Sequence, residues 1–208
     1  MDSAKKQPFP NYGEIFEPAL RYNGHMPPKK RILVPYRPQP NTYFCGPASM
    51  QMVFEFFHRK TRQRKLARAM HTNSQIGSLR QSMIRAATRA GFYCYVNNNA
   101  SLKELKRYIA EGFPVIVRFL AEDDDKDHYS VVCGYTPRSI TIHDPYNGKN
   151  HAISIPRFLA RWHDEDGSHA GWMMVLSKDD FRFGKLYRPA GVRTKRRQVR
   201  ADYALTNK

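Results

Sequence analysis

The first cysteine of the chain lies directly ahead of a helix, where a thiol can be made reactive. The stretch QPNTYFCGPASMQMVFEFF, residues 39–57, places Cys45 before Gly46 and Pro47, and the apolar positions that follow have the spacing of an amphipathic helix. If that helix begins at Pro47, its unpaired N–H groups and its dipole lower the pKa of the thiol and favour the nucleophilic thiolate. Gly46 has no side chain, so we predict that its backbone approaches a substrate closely.

Acyl-transfer chemistry by a thiolate also needs a base, a group that orients the base, and a donor to the oxyanion. His128 begins the stretch HYSVVCGY, and Asp144 ends the next extended stretch, SITIHD. Two neighbouring antiparallel strands bring such positions together, so the carboxylate can accept from the imidazole and fix its tautomer. Gln39, six residues before Cys45, can offer its side-chain N–H₂ to an oxyanion.

Each of these residues also has an ordinary structural interpretation. Cys45 can be a small buried residue, as most free cysteines are. His128 can be a histidine at a strand end, and Asp144 can serve only as the turn residue before a proline. His143 is the nearest competitor for the role of base, but on a strand it faces the side opposite to Asp144.

The remaining cysteines, Cys94 and Cys133, lie in apolar stretches and are predicted to belong to the core. Three scattered cysteines are too few for a disulfide framework and indicate a reducing compartment. No two cysteines have the C-x₂₋₄-C spacing of a zinc site, so no metal or other cofactor is expected.

The elements that must position these residues are helices first and strands afterwards. Predicted helices begin at Pro47, cover residues 61–71, run from Leu79 to a cap at Gly91, run from a capping box at Ser101 to Gly112, and start again at Pro156. Predicted strands cover residues 32–36, 92–96, 114–120, 128–135, 139–146 and 171–177, with a short one before Pro156. This order predicts an α+β domain in which a helical layer packs on an antiparallel meander.

Charge and proline content divide the chain into three parts. Residues 1–31 read as a Pro-rich irregular arm, residues 32–180 as one domain, and residues 181–208 as a basic tail. The net charge is +17, and residues 182–208 contribute nine Lys/Arg against one Asp. Such a tail can contact nucleic acid or another polyanion weakly, or can simply be a solubilising extension.

Two further features of the sequence concern compartment and charge. Neither a signal peptide nor an apolar stretch of transmembrane length is seen, which predicts a cytoplasmic protein. The acidic run AEDDDKD, residues 121–127, precedes His128. It is interpreted as a solvated loop, with three alternatives: it raises the pKa of His128, selects basic substrates, or docks the basic tail.

Four stretches carry a resemblance to a known family: VPYRPQPNTYFCGPASMQMV, EGFPVIV, DHYSVVCGY and ITIHDPYNG. They resemble, in order over residues 32–177, the bacteriocin-processing (double-glycine) peptidases and their freestanding relatives, which have a papain-like fold. The resemblance implies a cysteine peptidase that hydrolyses a peptide or protein substrate through an acyl-enzyme. It implies Cys45 as nucleophile, His128 as base, Asp144 as the orienting residue and Gln39 as the oxyanion-hole donor.

Rival functions remain open at this point. The same fold can serve as a catalytically silent module that binds peptides, or can transfer the acyl group to an amine or thiol. A third hypothesis, a polyanion-binding protein, depends on the net charge alone. Because no transporter segment is seen in this sequence, the double-glycine cleavage preference of transporter-fused members is not predicted.

Overall fold

The computed structural model describes residues 27–167 and 169–179 and the backbone of the strand at 185–187. The predicted arm before residue 27 and most of the predicted basic tail lie outside the described residues. The polyanion contact assigned to that tail therefore stays a prediction.

Five helices form in the described part of the chain. They are α1 (Cys45–Phe56), α2 (Gln63–Met70), α3 (Arg80–Arg89), α4 (Leu102–Ala110) and α5 (Ile155–Arg161). The predicted start of α1 at Pro47 was wrong by two residues, because the helix already begins at Cys45. A proline is tolerated within the first turn, where backbone N–H groups have no intrahelical partner. The cysteine is therefore itself the first helical residue.

Local signals end α3, and begin and end α4, where they were expected. The Ser101 side chain accepts a hydrogen bond from the Glu104 backbone N–H at 3.1 Å and caps α4. Gly91 and Gly112 follow the ends of α3 and α4, each with φ of +90°, a conformation that glycine adopts without a steric penalty.

The strands form one antiparallel sheet. They are β1 (Lys30–Arg31), β2 (Tyr93–Asn97), β3 (Val115–Leu120), β4 (Asp127–Tyr135), β5 (Ser139–Asp144), β6 (Gly148–Ser154), β7 (Met173–Ser177) and β8 (Lys185–Tyr187). Their order is β6-β5-β4-β3-β7-β2-β8, and β1 pairs with β4. The predicted meander is confirmed as β3 to β6. Strand β8 pairs with β2 and extends the sheet into the segment predicted as a tail.

The strand predicted at residues 32–36 was wrong, since only Lys30–Arg31 pairs as a strand. Pro35 has no N–H to give to a ladder. Residues 32–40, hereafter the strap, instead run without regular structure and are held by individual hydrogen bonds described below.

The helical layer and the sheet share one hydrophobic core. Met50, Met52 and Val53 of α1 have no exposed surface, and burial of each such side chain contributes about 1.5–3 kcal/mol. Ser49 of the same helix donates to the backbone carbonyl of Tyr129 in β4 at 3.1 Å. Helix α1 is thereby fixed against the strand that carries His128. Within the described residues, no helix has both the length and the apolar character that crossing a bilayer requires.

Candidate active site

Three of the predicted site residues are brought together by α1, β4 and β5. Cys45 begins α1, His128 is the second residue of β4, and Asp144 is the last residue of β5. The His128 Nε2 lies 2.9 Å from the Asp144 Oδ1, so this N–H donates to the carboxylate. The side chains of Cys45 and His128 shift each other's pKa, and Nδ1 is the ring nitrogen that the contact with Asp144 leaves for Cys45. Each of the three residues is at most 7% exposed.

The surroundings of Cys45 favour its thiolate. Burial raises the pKa of the thiol, but the hydrogen bond and the charge of His128 outweigh that effect. The backbone N–H groups of Tyr129 and Gly46 also lower this pKa. The pKa of Cys45 is consequently below its ordinary value, as expected for a sulfur at the start of a helix beside an imidazolium.

Two neighbouring residues raise the pKa of His128. Burial lowers the pKa of the imidazole, but the hydrogen bonds and charges of Asp144 and Cys45 raise it well above its ordinary value. The pKa is thus shifted down at Cys45 and up at His128, which are the directions that favour a thiolate–imidazolium pair.

Asp144 serves both the imidazole and a turn. Its Oδ1 accepts from the backbone N–H groups of Tyr146 at 2.8 Å and Asn147 at 3.0 Å, in addition to His128. Burial by itself raises the pKa of this carboxyl, but these three donors hold it at about 2. The turn interpretation and the orienting interpretation of Asp144 are therefore both compatible with its contacts.

Gln39 lies next to this group through the backbone. Its N–H donates to the carbonyl of Pro145, the residue after Asp144, at 2.9 Å. Its side-chain Nε2 donates to the Asn41 carbonyl at 2.7 Å, which uses one of two amide hydrogens and leaves the second. The oxyanion role of Gln39 stays a prediction.

Two residues that sequence reasoning did not assign fasten the strap to the end of β5. His143 donates from Nε2 to the Val34 carbonyl at 3.0 Å, and the Tyr36 hydroxyl donates to the Asp144 carbonyl at 3.2 Å. The two rings meet edge to face at 5.7 Å. Together with the Gln39 bond, these contacts fix the strap relative to Asp144. The sequence signal that could have indicated these contacts is the position of Tyr36 three residues before Gln39 and of His143 directly before Asp144.

Gly46 has a packing reason for being glycine. A Cβ at this position would lie 2.6 Å from the Ser78 Oγ and 2.7 Å from its Cβ. Ser78 is itself held by Thr72, through a 2.7 Å hydroxyl contact, and by the Tyr129 hydroxyl at its carbonyl. Contact of the Gly46 backbone with a substrate stays a prediction.

The other two cysteines differ from Cys45. Cys94 and Cys133 have no exposed surface, which confirms that they belong to the core. Burial raises the pKa of Cys94 to about 12 and that of Cys133 to about 11. Both thiols are therefore expected to be poor nucleophiles.

The acidic run before His128 is occupied by internal ion pairs. Four of its carboxylates have basic partners: Glu122 with His151 and Arg157, Asp124 with Lys126, Asp125 with Arg161, and Asp127 with Arg118. The pKa of His128 is raised by Asp144 and Cys45. These contacts favour a loop neutralised by its neighbours over a field that acts on His128.

Comparisons with known proteins identify the family and the fold of the chain. Residues 31–168 match the model of the Peptidase C39-like family. The peptidase domain of Streptococcus ComA, a bifunctional ABC transporter of a quorum-sensing pathway, is 25% identical with a TM-score of 0.58, over 69% of this chain and 98% of that one. No curated protein matches the chain.

Two further solved structures share the fold. A putative C39-like peptidase from Bacillus anthracis is 19% identical with a TM-score of 0.60, over 73% of this chain and 99% of that one. A double-glycine-motif protease of an AMS/PCAT transporter, solved with a leader peptide, is 22% identical with a TM-score of 0.57, over 71% of this chain and 93% of that one. With the family match covering most of its length and the papain-like architecture observed, the chain belongs to the Peptidase C39-like family of cysteine peptidases.

Proposed function

We propose that the protein hydrolyses peptide bonds with Cys45 as nucleophile, His128 as acid and base, and Asp144 as the residue that orients His128. The observation that carries the proposal is the placement of His128 between two partners: its Nε2 lies 2.9 Å from the Asp144 carboxylate, and its imidazole and the Cys45 side chain shift each other's pKa. The family of the chain supports a peptide as the substrate, and one related structure holds a leader peptide.

The reaction follows from the protonation states of the pair. The Cys45 thiolate attacks the carbonyl carbon. The resulting oxyanion accepts hydrogen bonds from the Gln39 side-chain amide and from a backbone N–H. Imidazolium His128 then gives its proton to the leaving nitrogen, the C–N bond breaks, and a thioester remains. A water molecule next loses a proton to His128 and adds to the thioester carbonyl, and the acid product leaves as the thiolate re-forms.

The test is turnover of a proteome-derived peptide library by the full chain, with new termini identified by mass spectrometry. We expect Cys45→Ala to lower turnover by at least about 10⁴-fold, since it removes the nucleophile. Cys133→Ala is the matched control and should stay within about twofold. Persistent cleavage by the Cys45 variant, or no cleavage by the unsubstituted chain, contradicts the proposal.

The same assay separates hydrolysis from acyl transfer. In water enriched in the heavy oxygen isotope, hydrolysis places one labelled oxygen in each new carboxylate. Products joined to an added amine without the label would instead assign acyl transfer to the site. Binding of peptides without either product would assign a silent binding module.

A further inference from the structure

The helical layer carries an uncompensated basic surface. Between Phe56 and Lys103, inclusive, the sequence has ten Lys/Arg and neither Asp nor Glu. Six exposed cations lie on α2 and just before it, hereafter the basic face: Arg59, Lys60, Arg62, Arg64, Lys65 and Arg68. Within the described ranges, none of the six forms an ion pair.

A cavity connects this basic face with the strap. It has a volume of about 240 Å³ and is lined by Pro38, Pro40, Gln51, Arg62, Gln63 and Arg64. The two prolines flank Gln39, the predicted oxyanion donor, and the Gln63 side chain donates to the Pro38 carbonyl at 2.9 Å. The cavity therefore adjoins the site through a fixed contact.

The charge of the cavity is positive. The nearby carboxylate of Glu55 is engaged by Arg37 at 2.9 Å and by the Gln51 amide, also at 2.9 Å. It is therefore neutralised by a cation outside the cavity, and no carboxylate of the described residues pairs with Arg62 or Arg64. Opposite charge in a partner would lower the free energy of binding at this surface.

The position of the cavity fits a peptide bound at Cys45. Gln51 follows Cys45 by six residues in α1, which corresponds to about 9 Å along the helix axis. An extended peptide advances about 3.3 Å per residue, so this distance corresponds to about three residues. By this distance, the cavity lies about three peptide residues from the scissile bond.

The link to the strap favours a peptide over nucleic acid as the occupant. Pro38 and Pro40 line the cavity on either side of Gln39, whose backbone N–H donates to the carbonyl of Pro145, the residue after Asp144. The acidic ligand that this position favours is therefore one that also occupies the proposed peptidase site. We propose that this cavity binds an Asp or Glu side chain of the peptide substrate, about three residues from the cleaved bond. The inference depends on the proposed peptidase function for its substrate, but binding can be measured without turnover.

The first experiment uses the full chain with Cys45→Ala and fluorescence anisotropy. The probe is a fluorescein-labelled dodecapeptide of Gly, Ser and Ala with two adjacent Glu at its centre, and its twin has Gln in place of both Glu. Arg62→Ser with Arg64→Ser is compared with Arg85→Ser with Arg89→Ser, which removes the same charge from α3 outside the cavity. Thermal unfolding of each variant checks that the fold is retained.

We expect the Arg62/Arg64 change to weaken the Glu peptide about fivefold, in line with two exposed charge contacts, and to leave the Gln twin within about twofold. The Arg85/Arg89 control should stay within about twofold for both peptides. Equal weakening by both double variants means diffuse net charge and overturns the proposal. An unchanged affinity of the Arg62/Arg64 variant for the Glu peptide also overturns the proposal. So does a result in which this variant loses affinity for a single-stranded DNA 20-mer and not for the Glu peptide.

The second experiment follows cleavage of the library by the otherwise unsubstituted chain. Arg62→Ser with Arg64→Ser should raise KM for acidic peptides about fivefold with kcat unchanged, because the cavity lies away from the reacting atoms. Substrates should show enrichment of Asp or Glu about three residues from the cut. Efficient cleavage without such enrichment overturns the acidic subsite and leaves the peptidase function intact.

Discussion

This molecule has two cysteine–histidine pairs whose pKa shifts run in opposite directions. In the first pair, His128 lowers the pKa of Cys45, and the His128 Nε2 donates a hydrogen bond to Asp144. In the second, the Cys133 sulfur lies 3.6 Å from the His143 Nδ1, and the other nitrogen donates to a backbone carbonyl. The pKa of the thiol is lowered in the first pair and raised to about 11 in the second.

Two features of the surroundings account for the difference. The sulfur of Cys45 lies at a helix start, whereas Cys133 lies in the middle of β4 and donates to the Thr141 carbonyl. The imidazole of His128 is backed by a carboxylate, whereas burial lowers the pKa of His143 and no carboxylate compensates it among its hydrogen-bond partners in the described residues. Residue types thus do not decide reactivity; the third partner and the helix terminus do.

The largest expected contrast between the pairs is alkylation. At neutral pH, iodoacetamide should modify Cys45 at least about 100-fold faster than Cys133 or Cys94, because only the Cys45 thiolate is populated. Peptide mapping by mass spectrometry over a time course measures the three rates. Comparable rates at Cys45 and Cys133 would mean that the two pairs do not differ in charge.

The next contrast concerns the carboxylate behind His128. Asp144→Asn keeps an acceptor oxygen for the turn but removes the charge that raises the pKa of His128. The alkaline limb of the rate against pH should move to lower pH by about one to three units, since the imidazolium is lost earlier. The acid limb, set by Cys45, should move to higher pH because the thiolate loses part of its counter-charge.

Asp127→Asn is the control for this prediction, because it removes a carboxylate next to His128 in sequence that is paired with Arg118. Its pH profile should keep the position of both limbs. A profile of the Asp144 variant that coincides with that of the unsubstituted chain would separate His128 from any dependence on the carboxylate.

The smallest contrast is structural. His143→Phe keeps an aromatic ring beside Tyr36 but leaves the Val34 carbonyl and the Asn150 N–H without their partner. The free energy of unfolding should fall by about 2–4 kcal/mol, measured by urea titration. Cys133→Ala is the milder comparison and should cost about 1 kcal/mol. Alkylation of Cys45 should keep its pH dependence in both variants; a large shift would assign the second pair a role in the first.

Most of the fold was predictable because its signals are local. Ser101 caps α4, glycines end α3 and α4, and the alternating stretches after Gly112 became the meander from β3 to β6. The irregular conformation of the strap was not predictable, because its apolar residues have the composition of a strand. Its hydrogen bonds join it to the His143 side chain and the Asp144 carbonyl of β5, and such distant partners leave no local signal. Strand β8 was also missed, since its partner β2 is far away in sequence.

The sequence by itself determined the family, the fold class and the candidate residues Cys45, His128, Asp144 and Gln39, because motif spacing and hydrophobic period are properties of short segments. Only the tertiary structure decided in which cysteine–histidine pair the pKa shifts favour a thiolate. It also decided that four carboxylates of the acidic run have basic partners, whereas the basic face forms no ion pair among the described residues. Protonation and screening depend on burial and on partners from distant segments, and folding alone brings those partners within hydrogen-bonding distance.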